Sequence, residues 1–357
     1  MTYVRSRFQH PSAQPNSLGF TLRDYEGSLS TLCAGCGHDS VSAAIVRACY
    51  ELAIEPHRVA KLSGIGCSSK TPTYFLGQSH GFNSVHGRMP SIATGANLAN
   101  RDLLYIGVSG DGDTASIGMG QFAHVTRRAL NMVYIVENNG CYGLTKGQDS
   151  ATTDVGSMNK KGSANQYQPM DLVSLALKLG ATFVARSFSG DKEQLVPLLK
   201  AAISHHGFAF LDIISPCVTF NNHKGSTKSY EYVREHLEAT GAVDFVPVHE
   251  EIVTSYLEGT TQEVTLHAGS VVRLQKAGSD HDPRDRSAAL AAQLKALHEG
   301  EILTGLLYID PEAEETHDFL HTSARPLNTM TEKELCPSGA MLNLINAGFR
   351  RETVLTP

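Results

Sequence analysis

Residues 103–140 read LLYIGVSGDGDTASIGMGQFAHVTRRALNMVYIVENNG. Two apolar runs, 103–109 and 132–137, flank a stretch with helical spacing over about 115–129. Each run ends in a polar turn, Gly110-Asp111-Gly112-Asp113 and Asn138-Asn139-Gly140. Near-continuous apolar strands separated by helices are the mark of a parallel sheet buried on both faces. A helix of about 15 residues rises roughly 22 Å, and a return strand of about 7 covers roughly 23 Å. A right-handed crossover therefore brings both turns to the same end of the sheet. The Asp111 carboxylate and the Asn139 amide then converge in the crevice at the strand ends, where open α/β sheets bind ligands.

A GDG turn and an Asn-Asn-Gly turn are each ordinary loop punctuation. The pair carries more, because 25 residues separate Gly112 from Asn138 with a clean strand–helix–strand between them. Two hard oxygen ligands facing one pocket suit Mg²⁺, which takes its remaining oxygens from water and phosphates. A diphosphate is the natural third party. Gly110 and Gly112 permit close backbone approach, the following helix start offers N–H donors, and Asp113 can accept a further hydrogen bond.

Outward from this unit the pattern continues. Helices are expected over 39–52 and 91–99 and a strand over 58–63, breaking at Gly64-Ile65-Gly66. Residues 143–168 are polar and aperiodic, as in a long functional loop. A helix at 172–179, a strand at 182–186, a helix at 192–204 and a strand at 209–215 complete the sheet. Beyond 228 the pattern changes to a helix at 230–239, two short strand-like stretches, a helix at 288–298 and a strand at 302–309. The expected fold is a doubly wound, mainly parallel α/β domain over 26–228, preceded by an arm at 1–25 and followed by a C-terminal α+β extension and tail at 229–357.

The composition, 41% hydrophobic and 18% charged over 357 residues, is that of a globular protein. No run approaches the roughly 18 apolar residues of a membrane span, and the polar start lacks the apolar segment of a secretory signal. A cytoplasmic location is expected. A net charge of −6 gives no electrostatic case for nucleic acid.

Seven cysteines in a reducing compartment point to metal binding or chemistry more than to disulfides. Cys33-Ala34-Gly35-Cys36 is a Cys-x-x-Cys in a glycine-rich turn, and Cys67 and Cys217 lie just past expected strand ends. Four thiolates can hold a [4Fe–4S] cluster or Zn²⁺, and spacing does not separate the two. A dithiol-exchange pair is a poorer fit beside a diphosphate site. Cys49 falls within an apolar helix and reads as core; Cys336, with no partner at ligand spacing, reads as structural.

The GDG unit followed by NN resembles the thiamine-diphosphate-binding motif, which implies a third metal ligand in the backbone carbonyl of Cys141. With CAGCGH at 33–38, GIGCSSK at 64–70, HGR at 86–88, GDGD at 110–113, ENNGCYGLTKGQ at 137–148 and SPC at 215–217, the chain resembles the β subunit of 2-oxoacid:ferredoxin oxidoreductases. Within that family the greatest likeness is to 2-oxoglutarate:ferredoxin oxidoreductase. The likeness covers roughly residues 20–240.

The resemblance implies that Cys33, Cys36, Cys67 and Cys217 ligate one [4Fe–4S] cluster. It also implies that Ile65, Gly66, Cys67, Ser68 and His86 contact the coenzyme, and that Gly112, Asp113, Asn139, Gly143, Leu144 and Thr145 surround its diphosphate and metal. Lys70 and Lys146 fall at substrate-side positions, and with His86 they are the candidate catalytic residues. A dicarboxylate needs cations for its remote carboxylate, which makes Lys70, Arg88 and Lys146 candidates, though each also reads as a solvated charge. His38 and His223 read as hydrogen-bonded loop residues.

The coenzyme carries the carbanion chemistry of 2-oxoacid decarboxylation, and a cluster suits the one-electron steps that follow. Only one coenzyme half is legible, so an α subunit is expected to supply the other half and the coenzyme A contacts, in an αβ or (αβ)₂ assembly that ferredoxin docks. The same chemistry on pyruvate or another 2-oxoacid stays open. So do a non-redox thiamine enzyme whose cysteines hold structural Zn²⁺ and a scaffold with a decayed coenzyme site.

Overall fold

The computed structural model of the chain describes residues 13–157, 159, 161–220, 255–265, 271–278 and 281–351. After a short 3₁₀ turn at Leu22–Tyr25 come helix α1 (Gly37–Glu51), strand β1 (Val59–Ser63), strand β2 (His80–Asn83), helix α2 (Met89–Ala99) and strand β3 (Leu104–Gly110). Helix α3 (Met119–Arg127) leads to strand β4 (Met132–Asn138). A two-residue hairpin follows, β5 (Cys141–Tyr142) with β6 (Gln148–Asp149). Helix α4 (Leu172–Leu179), strand β7 (Phe183–Phe188), helix α5 (Lys192–Ser204) and strand β8 (Phe208–Ile214) come next. The C-terminal part supplies β9 (Thr261–Thr265), β10 (Val271–Lys276), helix α6 (Arg286–His298), β11 (Ile302–Ile309), the short helix α7 (Thr316–Leu320) and, beyond a further helical turn, the terminal helix Gly339–Arg351.

Nine strands form one sheet in the order β2-β1-β3-β4-β8-β7-β11-β10-β9. The first six are mutually parallel. The apolar runs form its centre because successive strand residues point to opposite faces and both faces are covered. Tyr134 of β4 packs with Phe122, Phe208 and Phe210 beneath α3 and α4, whereas Val133 and Ile135 face α1 and α5. Helix α4 starts at Asp171, whose carboxylate accepts from the Ser174 N–H at 2.9 Å, and stops at Gly180 with φ +92°.

Two expectations change. The helix expected from about residue 115 begins as a wide π-helical turn at Gly112–Ile117, closed by the Gly118 N–H donating to Asp113 O at 2.9 Å, before α3 proper. The C-terminal extension is continuous with the main sheet: β11 pairs antiparallel with β7, and α6 packs over it beside α4. The helix expected at 230–239, and His223, lie outside the described residues. Among the described residues no helix is long and apolar enough to cross a membrane.

Candidate functional site

Strands β3 and β4 are parallel neighbours with Gly110 opposite Glu137, so the two turns meet as their spacing predicts. Asp111 is 1% exposed. Its Oδ1 accepts from the Asn139 N–H at 3.3 Å, and its Oδ2 accepts from the hydroxyls of Ser150 at 2.5 Å and Thr152 at 2.6 Å. Asn139 Oδ1 accepts from the Cys141 N–H at 3.1 Å, which folds the 139–141 turn onto the strand end. Neither Ser150 nor Thr152 carries a signal in sequence, because both lie in the aperiodic loop.

Asp113 is held from three sides. Its Oδ1 meets His86 Nδ1 at 2.8 Å and the Gly87 N–H at 3.0 Å, while Ser109 Oγ donates to Oδ2 at 2.9 Å. Glycines make room for this packing. A Cβ on Gly64 would stand 1.9 Å from Asp113 Oδ2, and one on Gly112 would stand 2.6 Å from the Tyr142 ring.

These residues wall one cleft at the strand ends. From the 64–68 segment Ile65, Gly66, Cys67 and Ser68 line it, joined by His86. The GDG turn contributes Asp111, Gly112 and Asp113, and the loop after β4 contributes Asn139, Cys141, Gly143, Leu144 and Thr145. Lys70 and Lys146 lie outside this lining. Lys70 is half-buried on the 3₁₀ helix Ser68–Thr73 with Nζ 3.5 Å from Thr31 Oγ1; Lys146 is exposed at φ +81°. Arg88 is exposed too.

The cleft also includes His38, Glu137 and Tyr142, which sequence reading did not select as site residues. Glu137 closes an apolar strand and His38 sits in the first turn of an amphipathic helix, so neither stands out in sequence. Thr71 Oγ1 donates to both Glu137 oxygens, at 2.8 and 3.0 Å, and His38 Nδ1 lies 2.5 Å from Ser215 Oγ and 3.7 Å from Glu137 Oε2. Burial raises the Glu137 carboxyl well above its ordinary value and lowers His38 to about 4. His38 is therefore neutral near pH 7, and its contact with Glu137 is not an ion pair. The network ties the segments that carry Cys36, Cys67 and Cys217 to β4, the strand that leads into Asn139.

The four cysteines approach one another at the rim. A Cβ on Gly143 would lie 3.4 Å from Cys67 Sγ, 3.6 Å from Cys217 Sγ and 3.9 Å from Asn139 Nδ2. Thr219 Oγ1 donates to Cys33 Sγ at 3.7 Å, and the Phe220 N–H to Cys217 Sγ at 3.4 Å. Burial pushes Cys67 up to about 11, with the nearby Cys217 and Cys33 adding to it. Among the described residues no three of these sulfurs lie within 4.8 Å of one another. Cys49 is fully buried on the inner face of α1, and Cys336 is exposed. A separate group, His206, Glu315 and Asp318, gathers elsewhere; the α7 capping box and Arg101 already engage its carboxylates.

A parallel sheet with the Asp111 carboxylate and the Asn139 amide at adjacent strand ends fits the class of thiamine-diphosphate-binding folds. The family model for the thiamine pyrophosphate enzyme C-terminal TPP binding domain matches residues 64–213. The chain is 40% identical over 192 residues to the 2-oxoglutarate synthase subunit KorB of Methanocaldococcus jannaschii, covering 53% of this chain and 69% of that one. It is 41% identical over 191 residues to a 2-oxoacid:ferredoxin oxidoreductase subunit beta of Sulfolobus, covering 53% of this chain and 63% of the relative. A solved structure of 2-oxoglutarate:ferredoxin oxidoreductase from Magnetococcus marinus, with 2-oxoglutarate, coenzyme A and succinyl-CoA bound, matches with a TM-score of 0.70 and 30% identity, over 94% of this chain and 98% of that chain. The chain belongs to the β-subunit family of 2-oxoacid:ferredoxin oxidoreductases. It spans just under two thirds of the length of the Sulfolobus relative.

Proposed function

We propose that the chain is the thiamine diphosphate- and cluster-bearing subunit of an enzyme that interconverts 2-oxoglutarate and coenzyme A with succinyl-CoA and CO₂, exchanging electrons with ferredoxin. One observation carries the reading: a Cβ placed on Gly143 would lie within 4 Å of Cys67 Sγ, Cys217 Sγ and Asn139 Nδ2 at once, so these three side chains converge on one point. A coenzyme anchored at Asp111 and Asn139 would therefore stand beside two of the thiols that would hold the electron-accepting cluster.

The residues fit the groups. The Asp111 and Asn139 side chains and the Cys141 carbonyl would hold Mg²⁺, a hard-oxygen set of the kind that ion prefers. His86, Asp113 and the glycine-lined wall would receive the coenzyme, and Asp113 fixes His86 by accepting from Nδ1, which leaves Nε2 to face the cleft. When bound, thiamine diphosphate supplies the carbanion chemistry that releases or, in reverse, fixes CO₂. Cys33, Cys36, Cys67 and Cys217 would hold a [4Fe–4S] cluster. Relatives named for ferredoxin, a one-electron partner, support this over zinc.

Lys70 and Lys146 would act from outside the cleft rim on the remote carboxylate, in a pocket completed by an α subunit within an αβ or (αβ)₂ assembly. Because neither lysine lines the cleft in this chain, the same chemistry on pyruvate or another 2-oxoacid is the second reading.

Anaerobic co-expression with the partner subunit tests both. The complex is expected to be brown, to contain iron and thiamine, and to reduce methyl viologen faster with 2-oxoglutarate than with pyruvate. Zinc without iron would sink the redox reading; a pyruvate preference would select the second. Asp111→Ala is expected to lose thiamine diphosphate while keeping its iron, and retained coenzyme would remove the Mg²⁺ assignment.

A further inference from the structure

Residues 150–153 leave the β5–β6 hairpin and fold back over the strand ends, where they touch both halves of the expected metal site. Ser150, Thr152 and Thr153 are buried although they belong to a polar loop. Ser150 Oγ and Thr152 Oγ1 both donate to Asp111 Oδ2, at 2.5 and 2.6 Å. Thr153 Oγ1 donates to Gly140 O at 2.7 Å, between Asn139 and Cys141, and accepts the Ser150 N–H at 2.7 Å. Behind it Asn165, also buried, donates through Nδ2 to Thr153 O at 2.8 Å and to Tyr167 O at 3.0 Å. The Ala151 N–H donates to Ser116 Oγ at 3.1 Å, which pins the segment to the π-helical turn after Asp111. One short segment is thereby fastened to the turn after β3 on one side and to the turn after β4 on the other.

We propose that Ser150, Thr152 and Thr153 are positioning residues that hold the Asp111 carboxylate and the 139–141 turn at the separation the metal requires. This rests on the reading that Asp111, Asn139 and the Cys141 carbonyl hold Mg²⁺. That ion demands near-ideal octahedral geometry with oxygens at about 2.0–2.1 Å, so ligands fixed before it arrives bind it more tightly. Two hydroxyls on one oxygen stop the Asp111 carboxylate turning about its Cβ–Cγ bond, and they stabilise its charge at a site that is 1% exposed. Thr153 does the same for the other turn, because fixing Gly140 O fixes the peptide that joins Gly140 to Cys141. Partners of this kind behind a metal-ligating carboxylate contribute about 10- to 100-fold in metal affinity. Valine has the shape of threonine without the hydroxyl, so Thr152→Val deletes one donor to Asp111 and leaves every proposed ligand in the chain.

The test measures binding of Mn²⁺, which takes the same octahedral oxygen sites, to the anaerobically purified complex with the partner subunit at saturating thiamine diphosphate. Free Mn²⁺ is counted by its electron paramagnetic resonance signal at room temperature. Thr152→Val is expected to keep its iron and to bind Mn²⁺ about tenfold more weakly than wild type. Thr152→Ser restores a hydroxyl and is expected to bind with close to wild-type affinity. A merely structural role would lower the melting temperature of the valine variant and leave its Mn²⁺ affinity unchanged, which overturns the proposal, as does a serine variant as weak as valine. Should Thr152→Val fail to assemble, Ser150→Ala removes the other donor to Asp111 and decides by the same criterion: about tenfold weaker binding supports the proposal and wild-type binding overturns it. Asp111→Ala keeps the two failures distinct, because an Asp111→Ala complex that binds Mn²⁺ as tightly as wild type would remove the Mg²⁺ reading itself.

Discussion

At Gly64 the constraint is space. Its backbone lies against the Asp113 carboxylate, and an added Cβ would meet Oδ2 at 1.9 Å. Asp113 cannot retreat easily, since His86, Gly87 and Ser109 all hold it. Gly64→Ala is therefore expected to cost about 1–3 kcal/mol of stability and, by displacing Asp113 and His86, to weaken thiamine diphosphate binding by about tenfold or more. Thermal melts and titration of the coenzyme check it; wild-type values for both would show that Asp113 yields freely. At the same scale Asp111 and Asn139 were legible because their spacing and flanking patterns are local. Ser150 and Thr152, which hold the Asp111 carboxylate, were not, because a loop without periodicity records nothing of where it will fold back.

At the scale of elements, the 3₁₀ helix Ser68–Thr73 that follows Cys67 is braced from below by β1. Lys61 Nζ donates to Phe75 O at 2.7 Å and Leu76 O at 3.1 Å and lies over the Phe75 ring. Burial lowers Lys61 from 10.5 to about 8. Between those values the unfolded chain binds a proton that the folded chain has lost, so stability rises with pH across this window. Below pH 8 both states are protonated and the penalty is fully present. Lys61→Met strands two buried carbonyls and is expected to cost about 1–3 kcal/mol. The stability difference between wild type and variant is also expected to widen as pH rises from 8 to 10.5, because only wild type gains from deprotonation of Lys61. Parallel curves in chemical denaturation across that range would refute the assignment. Sequence shows Lys61 only as a charge on an apolar strand; its partners lie 14 and 15 residues away.

For the whole molecule, the C-terminal extension covers the far side of β7. All six residues of β7 are buried, and β11 pairs with it from Phe183 through Arg186. A chain ending at residue 220 would leave that edge unpaired and remove α6 from the core it shares with α4. An exposed, long apolar edge is a template for association, so the truncated protein is expected to aggregate or elute as large species in size-exclusion chromatography. A monodisperse, folded fragment would show that the first six strands suffice.

The parallel α/β core and the meeting of Asp111 with Asn139 were determined by sequence alone, because period, turn chemistry and crossover handedness are local rules, whereas the grouping of the four cysteines followed only from family resemblance. The tertiary structure decided what depends on contacts between distant segments. It brought Glu137, His38, Thr71 and Ser215 into one network, joined the extension to the main sheet, and left Lys70 and Lys146 outside the cleft. Burial and hydrogen bonding across the sheet ends govern each of these, and no residue carries in its own neighbourhood a record of which partner it will meet there.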